Sequence, residues 1–182
     1  MASAADRRIF WATAATVVAL DILTKVAAQA RLLRSSGIEV MGDWLQLRLV
    51  YNPGAAFGLH VGPYSRWILL VIALVAVVLL QRLSERAPVG DLFRQLSTGA
   101  VAGGAFGNLI DRIRNPQGVV DFLDVGIGQM RWPTFNVADI AVSCGAVLLA
   151  ISFWREDARR ASEAEAALRT AEGAGSQSIT PV

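Results

Sequence analysis

The sequence predicts a mostly α-helical integral membrane protein with four transmembrane helices, and three observations carry that prediction. Hydrophobic residues make up 54% of the chain and charged residues 18%, below the roughly 25% charged that is usual in soluble domains. The mean hydropathy is +0.45. The charges lie between long apolar runs, and four of those runs approach the about 20 residues that cross a hydrocarbon layer.

The first run, about 9–30, is apolar except for Asp21 and Lys25 in its second half. A competing reading makes it a secretory signal, with Arg7-Arg8 as the basic region and Ala28-Gln29-Ala30 as a cleavage-like site. Asp21 and Lys25 are i,i+4 neighbours, so on a helix they pair, which favours a retained span. The second run, about 64–83, contains an uninterrupted apolar stretch from Trp67 to Leu80. The third, about 93–112, is rich in Gly and Ala, and Gly99, Gly103, Gly104 and Gly107 allow close helix approach. The fourth, about 135–154, carries Asn136 and Asp139 near its start. Residues 1–154 thus form one four-helix unit. Residues 155–182 form a polar tail, expected as a frayed helix running into disorder.

The connections differ. Residues 84–92 make a short polar loop. Residues 31–63 include the alternating stretch from Trp44 to Val50, which reads as a strand, and then the turn signal Asn52-Pro53-Gly54. Residues 111–134 read as irregular. Both long connections fall on one side of the membrane. Basic residues divide almost evenly between the two sides, and their tighter clustering at helix ends places both termini in the cytoplasm.

Several function classes drop out. A net charge of +2 with no Lys/Arg stripe excludes a nucleic-acid partner. The single cysteine, Cys144, cannot form an intrachain disulfide and reads as a small packing residue. The single histidine, His60, has no ligand-spaced companions, so no metal site is expected; it reads as interfacial.

Ionisable residues in or beside a span mark functional sites. Asp139 lies one turn from Asn136, and Asp121 lies in the apolar frame Val119-Val120-Asp121-Phe122-Leu123, so both sit at the same membrane depth. Two facing carboxylates share a proton. Such a pair activates water with one member and protonates a carbonyl with the other. The competing reading makes each a helix cap or an ion-pair partner of Arg112, Arg114 or Arg131. Asn108 and Arg112 share a face at the end of the third run, and Asn52 either joins the site or only makes the turn.

Five stretches together resemble the signal peptidase II (lipoprotein signal peptidase) family: Asp21-Ile22-Leu23-Thr24-Lys25, Asn52 to Phe57, Gly103 to Arg112, Val119-Val120-Asp121-Phe122, and Phe135-Asn136-Val137-Ala138-Asp139. Each alone is weak; in this order on four spans the set is specific and covers about residues 9–154. The resemblance implies an aspartic endopeptidase of the bacterial inner membrane. It would cleave a lipid-modified prolipoprotein before its diacylglyceryl cysteine, at the outer face. Asp121 and Asp139 match the catalytic aspartates; Asn52, Asn108, Arg112 and Asn136 match substrate-binding positions. Asp21, Lys25, Gly54 and Phe57 are expected to support the site. The family also implies a small β cradle at about 38–58 and a short interfacial helix at about 59–66. No cofactor is required, since carboxylates supply both acid and base. The partners are the prolipoprotein and membrane lipid, and a monomer suffices because one chain carries both aspartates. Two rivals remain at this point: a proton- or ion-transport subunit with acids buried at mid-membrane, and a non-catalytic assembly protein built on glycine-rich helix packing.

Overall fold

A computed structural model of the chain describes residues 2–32, 37–54 and 64–177. Its elements run α1 (Ala4–Arg31), β1 (Ile38–Met41), β2 (Leu45–Asn52), α2 (Ser65–Glu85), α3 (Leu92–Arg114), β3 (Val119–Ile127), β4 (Met130–Arg131) and α4 (Val137–Gln177). The predicted strand is β2, and the predicted short loop joins α2 to α3. The interfacial helix expected at 59–66 falls mostly outside the described residues, as do His60 and Phe57; Ser65 and Arg66 belong to the first turn of α2.

Helices α1, α2 and α4 are each long and apolar enough to cross a membrane by length and composition. Helix α3 is as long but less apolar, because α1, α2 and α4 all pack against it and little of it is left for lipid to meet. Its glycines set the spacing. A Cβ on Gly99 would lie 2.7 Å from the carbonyl oxygen of Phe10, and one on Gly103 the same distance from that of Ala14. A Cβ on Gly104 would strike the Ala138 carbonyl of α4.

The distribution of polarity is inverted relative to a water-soluble bundle. Buried positions include Asp21, Lys25, Gln95, Ser97, Thr98 and Asn136, while Leu23, Val71, Ile72, Leu79 and Val147 face outward. In hydrocarbon the outward face is apolar, and polar side chains turn inward to find partners. All buried side-chain polar atoms among the described residues have a hydrogen-bond partner.

Residues 111–134, expected to be irregular, are largely regular. They carry α3 on to Arg114 and then β3, whose nine residues form the centre of a four-stranded antiparallel sheet ordered β1-β2-β3-β4. The sheet therefore draws on both long connections, with Asn52 paired to Val119 and Val50 to Asp121. Turn residues masked this strand: Asn115-Pro116-Gln117-Gly118 precedes it, and Gly118 takes φ 110° where a Cβ would collide with Asn52. Leu49, Val120 and Phe122 from the sheet bury themselves against Ala28 and Leu32 at the end of α1, which fixes the sheet to the bundle.

The opposite end of the bundle is tied by caps and ion pairs. Ser3 and Asp6 form a reciprocal capping box at the start of α1. The Asp6 carboxylate also accepts the Gly90 N–H, joining α1 to the α2–α3 loop. Buried Arg94 of α3 pairs with Glu156 of α4. Helix α4 continues through the polar tail to Gln177, with exposed i,i+4 pairs such as Arg159–Glu163 and Arg169–Glu165 along it.

Candidate active site

Where the bundle meets the sheet, four elements deliver polar side chains to one cavity of about 610 Å³. Strand β2 ends in Asn52, α3 brings Asn108 and Arg112, β3 brings Asp121, and α4 brings Asp139. Apolar and small side chains complete the wall, among them Trp132, Phe135, Ile140, Val142 and Cys144.

The first turn of α4 holds Asp139. With Val137 as the first helical residue, Asn136 is the N-cap and Asp139 the third position. The Asp139 N–H donates to Asn136 Oδ1 at 3.0 Å, and the Asn136 N–H donates to Asp139 Oδ2 at 3.2 Å. This is a capping box with asparagine and aspartate in its two roles. A third donor of that turn, the Ala138 N–H, goes to Asp21 Oδ1 of α1 at 3.0 Å. The cap reading of Asp139 is thus correct, and it leaves Oδ1 of the same carboxylate on the cavity side, where Asn108 Nδ2 donates to it at 2.8 Å.

Asp121 is held differently. It is only 2% exposed. Its Oδ1 accepts from Asn136 Nδ2 at 2.7 Å and its Oδ2 from Asn52 Nδ2 at 3.1 Å. Burial first, and the neighbouring charge of Asp139 second, push its carboxyl up to about 7. A carboxyl so placed holds a proton near neutral pH.

Three carboxamides therefore meet the two carboxylates, and each is oriented from behind by a donor-only group. A carboxamide whose oxygen faces a donor must present its NH2 on the other side. Asn52 Oδ1 accepts the Gly54 N–H at 3.0 Å. Asn136 Oδ1 accepts the Asp139 N–H. Asn108 Oδ1 accepts from Lys25 Nζ at 3.0 Å and from Asn136 Nδ2 at 3.1 Å.

Lys25 is 3% exposed and pairs with Asp21 at 2.7 Å, as its spacing predicts, and with Asp111 at 2.8 Å. Asp111 in turn accepts the Val120 N–H at 3.1 Å, linking α3 to the strand that carries Asp121. Gly107 leaves room for Asp21: a Cβ there would lie 2.5 Å from its carboxylate.

Nine of the ten residues singled out from the sequence converge here: Asp21, Lys25, Asn52, Gly54, Asn108, Arg112, Asp121, Asn136 and Asp139. Phe57 lies outside the described residues. Arg112 does not pair with either aspartate; it donates to the carbonyls of Asn108 and Gly54 at 3.2 Å each. Arg131 is engaged elsewhere, by Asp124 and Asp43. Sequence reasoning passed over Asp111, although it stands in the stretch ending at Arg112, because its partner is on another helix. It also took Cys144 for a packing residue, whereas Cys144 is exposed and lines the cavity.

Residues 13–155 match the signal peptidase (SPase) II family, Peptidase_A8. Among curated relatives, the lipoprotein signal peptidase of Rhodococcus jostii (strain RHA1) is 40% identical over 152 residues, 80% of this chain and 72% of that protein. That of Francisella tularensis subsp. novicida (strain U112) is 35% identical over 143 residues, 77% of this chain and 88% of that protein. The fold is similar to a bacterial membrane enzyme solved by the in meso method at 2.3 Å resolution, with a TM-score of 0.72 and 27% identity over 81% of this chain and 88% of that one. A second such enzyme, at 1.9 Å resolution, gives 0.68 and 30% over 78% and 89%. The transport-subunit and scaffold readings give way to this match. The chain belongs to the signal peptidase II family of aspartic peptidases.

Proposed function

We propose that Asp121 and Asp139 are the acid and base with which this peptidase hydrolyses prolipoproteins, at the bond before the diacylglyceryl-modified cysteine. The observation that supports this most is that two carboxylates on different elements line one cavity where membrane helices meet an extramembrane sheet. A lipid anchor holds its cysteine at that depth, and water reaches the same depth from the sheet side.

In this reading Asp139 takes a proton from water as its oxygen bonds to the scissile carbonyl carbon. Asp121, carrying the shared proton, gives it to the carbonyl oxygen. Collapse of the tetrahedral intermediate breaks the C–N bond. Asp139 gives its proton to the leaving amine nitrogen, and Asp121 takes one back from a hydroxyl of the intermediate as that oxygen becomes the carbonyl of the new carboxyl group. The carboxylates supply both proton transfers, so no metal or cofactor enters. Arg112 faces the peptide with the asparagines and fixes the scissile bond against the water, the positioning on which such reactions depend. The apolar wall at Trp132, Phe135, Ile140 and Val142 accommodates the lipid-bearing end.

The protein sits in the bacterial inner membrane with the sheet and site on the outer side and both termini cytoplasmic. It acts as a monomer, and residues 155–182 form the cytoplasmic tail beyond the four-helix unit. The test is cleavage of a diacylglyceryl-modified prolipoprotein by the purified protein, read by mass spectrometry, beside the same polypeptide without lipid. Cleavage before the modified cysteine alone supports the reading; equal cleavage of both, or of neither, contradicts it.

A further inference from the structure

Three carboxamides face the two aspartates, and two of them are oriented by backbone N–H groups, which are fixed donors. Asn108 differs. The group behind its Oδ1 that has no acceptor capacity of its own is an ammonium on another helix, Lys25 Nζ. Asn136 Nδ2 also approaches that oxygen, but it divides itself among Asn108 Oδ1, the Val120 carbonyl and Asp121 Oδ1.

We propose that Lys25 is a positioning residue for the reaction: its ammonium holds the Asn108 carboxamide with oxygen inward, so that Nδ2 rather than Oδ1 meets Asp139. A lysine ammonium only donates. While it is present, turning the amide over would set NH2 against NH3+ on one side and an oxygen against the Asp139 carboxylate on the other. Without it only the shared Asn136 Nδ2 still favours that orientation, and in the turned state Asp139 loses its donor and meets an acceptor.

The charges facing this group come from every element around it. They are Asp21 on α1, Asp111 and Arg112 on α3, Asp121 on β3 and Asp139 on α4. Asp21 and Asp111 both contact Lys25 directly and keep its nitrogen at the Asn108 oxygen. Lys25 does not border the cavity, so it acts through Asn108 and not on substrate.

The inference rests on Asp121 and Asp139 being the acid and base. The experiment separates the two claims, because a wild type that does not cleave refutes that assignment before any Lys25 variant is read. Kinetics of lipidated-substrate cleavage are measured for wild type, Lys25→Met, Asn108→Ala and the double variant. Lys25→Met lowers kcat by about 100-fold, the scale of a misdirected acid–base group, while KM moves by less than about threefold. Added to Asn108→Ala it lowers kcat by less than about threefold more, because the two changes remove one interaction. A Lys25→Met protein with wild-type kcat, or full additivity with Asn108→Ala, overturns the proposal.

Lys25→Met leaves Asp21 and Asp111 buried without their cation, which itself threatens folding. Asn108→Asp keeps Lys25 and its ion pairs and places an oxygen where Nδ2 stood. It is expected to lose about 100-fold in kcat at pH 7 and to retain activity only at lower pH, where a proton can sit between the two carboxylates. Wild-type kcat and an unmoved pH profile in Asn108→Asp overturn the proposal whether or not Lys25→Met folds.

Discussion

Asn136 and Asp139 cap one another at the head of α4, each backbone N–H donating to the other's side chain at 3.0 and 3.2 Å. The box fixes Asp139 Oδ2 inward and leaves Oδ1 at the cavity, so the device that starts the helix also aims the carboxylate. Asp139→Asn keeps an acceptor for the Asn136 N–H and removes the proposed base. The expected result is a kcat loss of at least about 10³-fold with a stability change of about 1 kcal/mol, the usual worth of a cap. Steady-state kinetics beside thermal unfolding in detergent separate the two.

The proposed mechanism assigns the alkaline limb of the activity profile to Asp121. Its carboxyl is pushed up to about 7 in the free protein, so kcat/KM falls as pH rises beyond that value, by about tenfold per unit once the acid is mostly ionised. A profile flat from pH 6 to 9 would contradict the role of Asp121 as acid.

Stability shows the same group with a definite sign. The folded-state value is about 7 against 3.8 for the free side chain, so between those values the folded protein binds the extra proton. Its contribution is whole below about pH 4 and is lost as pH rises toward 7. Thermal unfolding from pH 4 to 7.5 should show this decline in wild type and a shallower one in Asp121→Asn.

Gly107→Ala places a Cβ 2.5 Å from the Asp21 carboxylate, which holds both Lys25 and the Ala138 N–H. Overpacking at such a point costs about 1–3 kcal/mol. The loss is expected as a lower unfolding temperature, and because Asp21 also anchors the first turn of α4, activity falls with it.

Cys144 lines the cavity and is the chain's one thiol. Treatment with a bulky maleimide should raise KM for the lipidated substrate, with the modified fraction read by mass spectrometry. Cys144→Ser should not respond to the reagent.

The spans and most of the site were legible in the sequence because their signals are local. Asp21 and Lys25 announce their pairing by i,i+4 spacing, and Asn136 and Asp139 by their place at a helix start. Strand β3 was not legible. Its run from Val119 to Ile127 is nearly all apolar, with acids at Asp121 and Asp124, whose partners lie on other elements: Asn52 and Asn136 for Asp121, Arg48 and Arg131 for Asp124. Asp111 was missed for the same reason, since its contacts with Lys25 and Val120 join elements far apart in the chain. Arg112 shows the limit of charge matching: beside two aspartates, it hydrogen-bonds two backbone carbonyls.

Single-turnover cleavage of a diacylglyceryl-modified prolipoprotein by wild type, Asp121→Asn and Asp139→Asn, each confirmed folded by thermal unfolding, decides whether both aspartates carry the reaction. Cleavage is expected from wild type, with a loss of at least about 10³-fold in each single variant, since neither carboxylate performs both proton transfers. A folded variant of either kind that cleaves at more than about a tenth of the wild-type rate would contradict the two-aspartate mechanism.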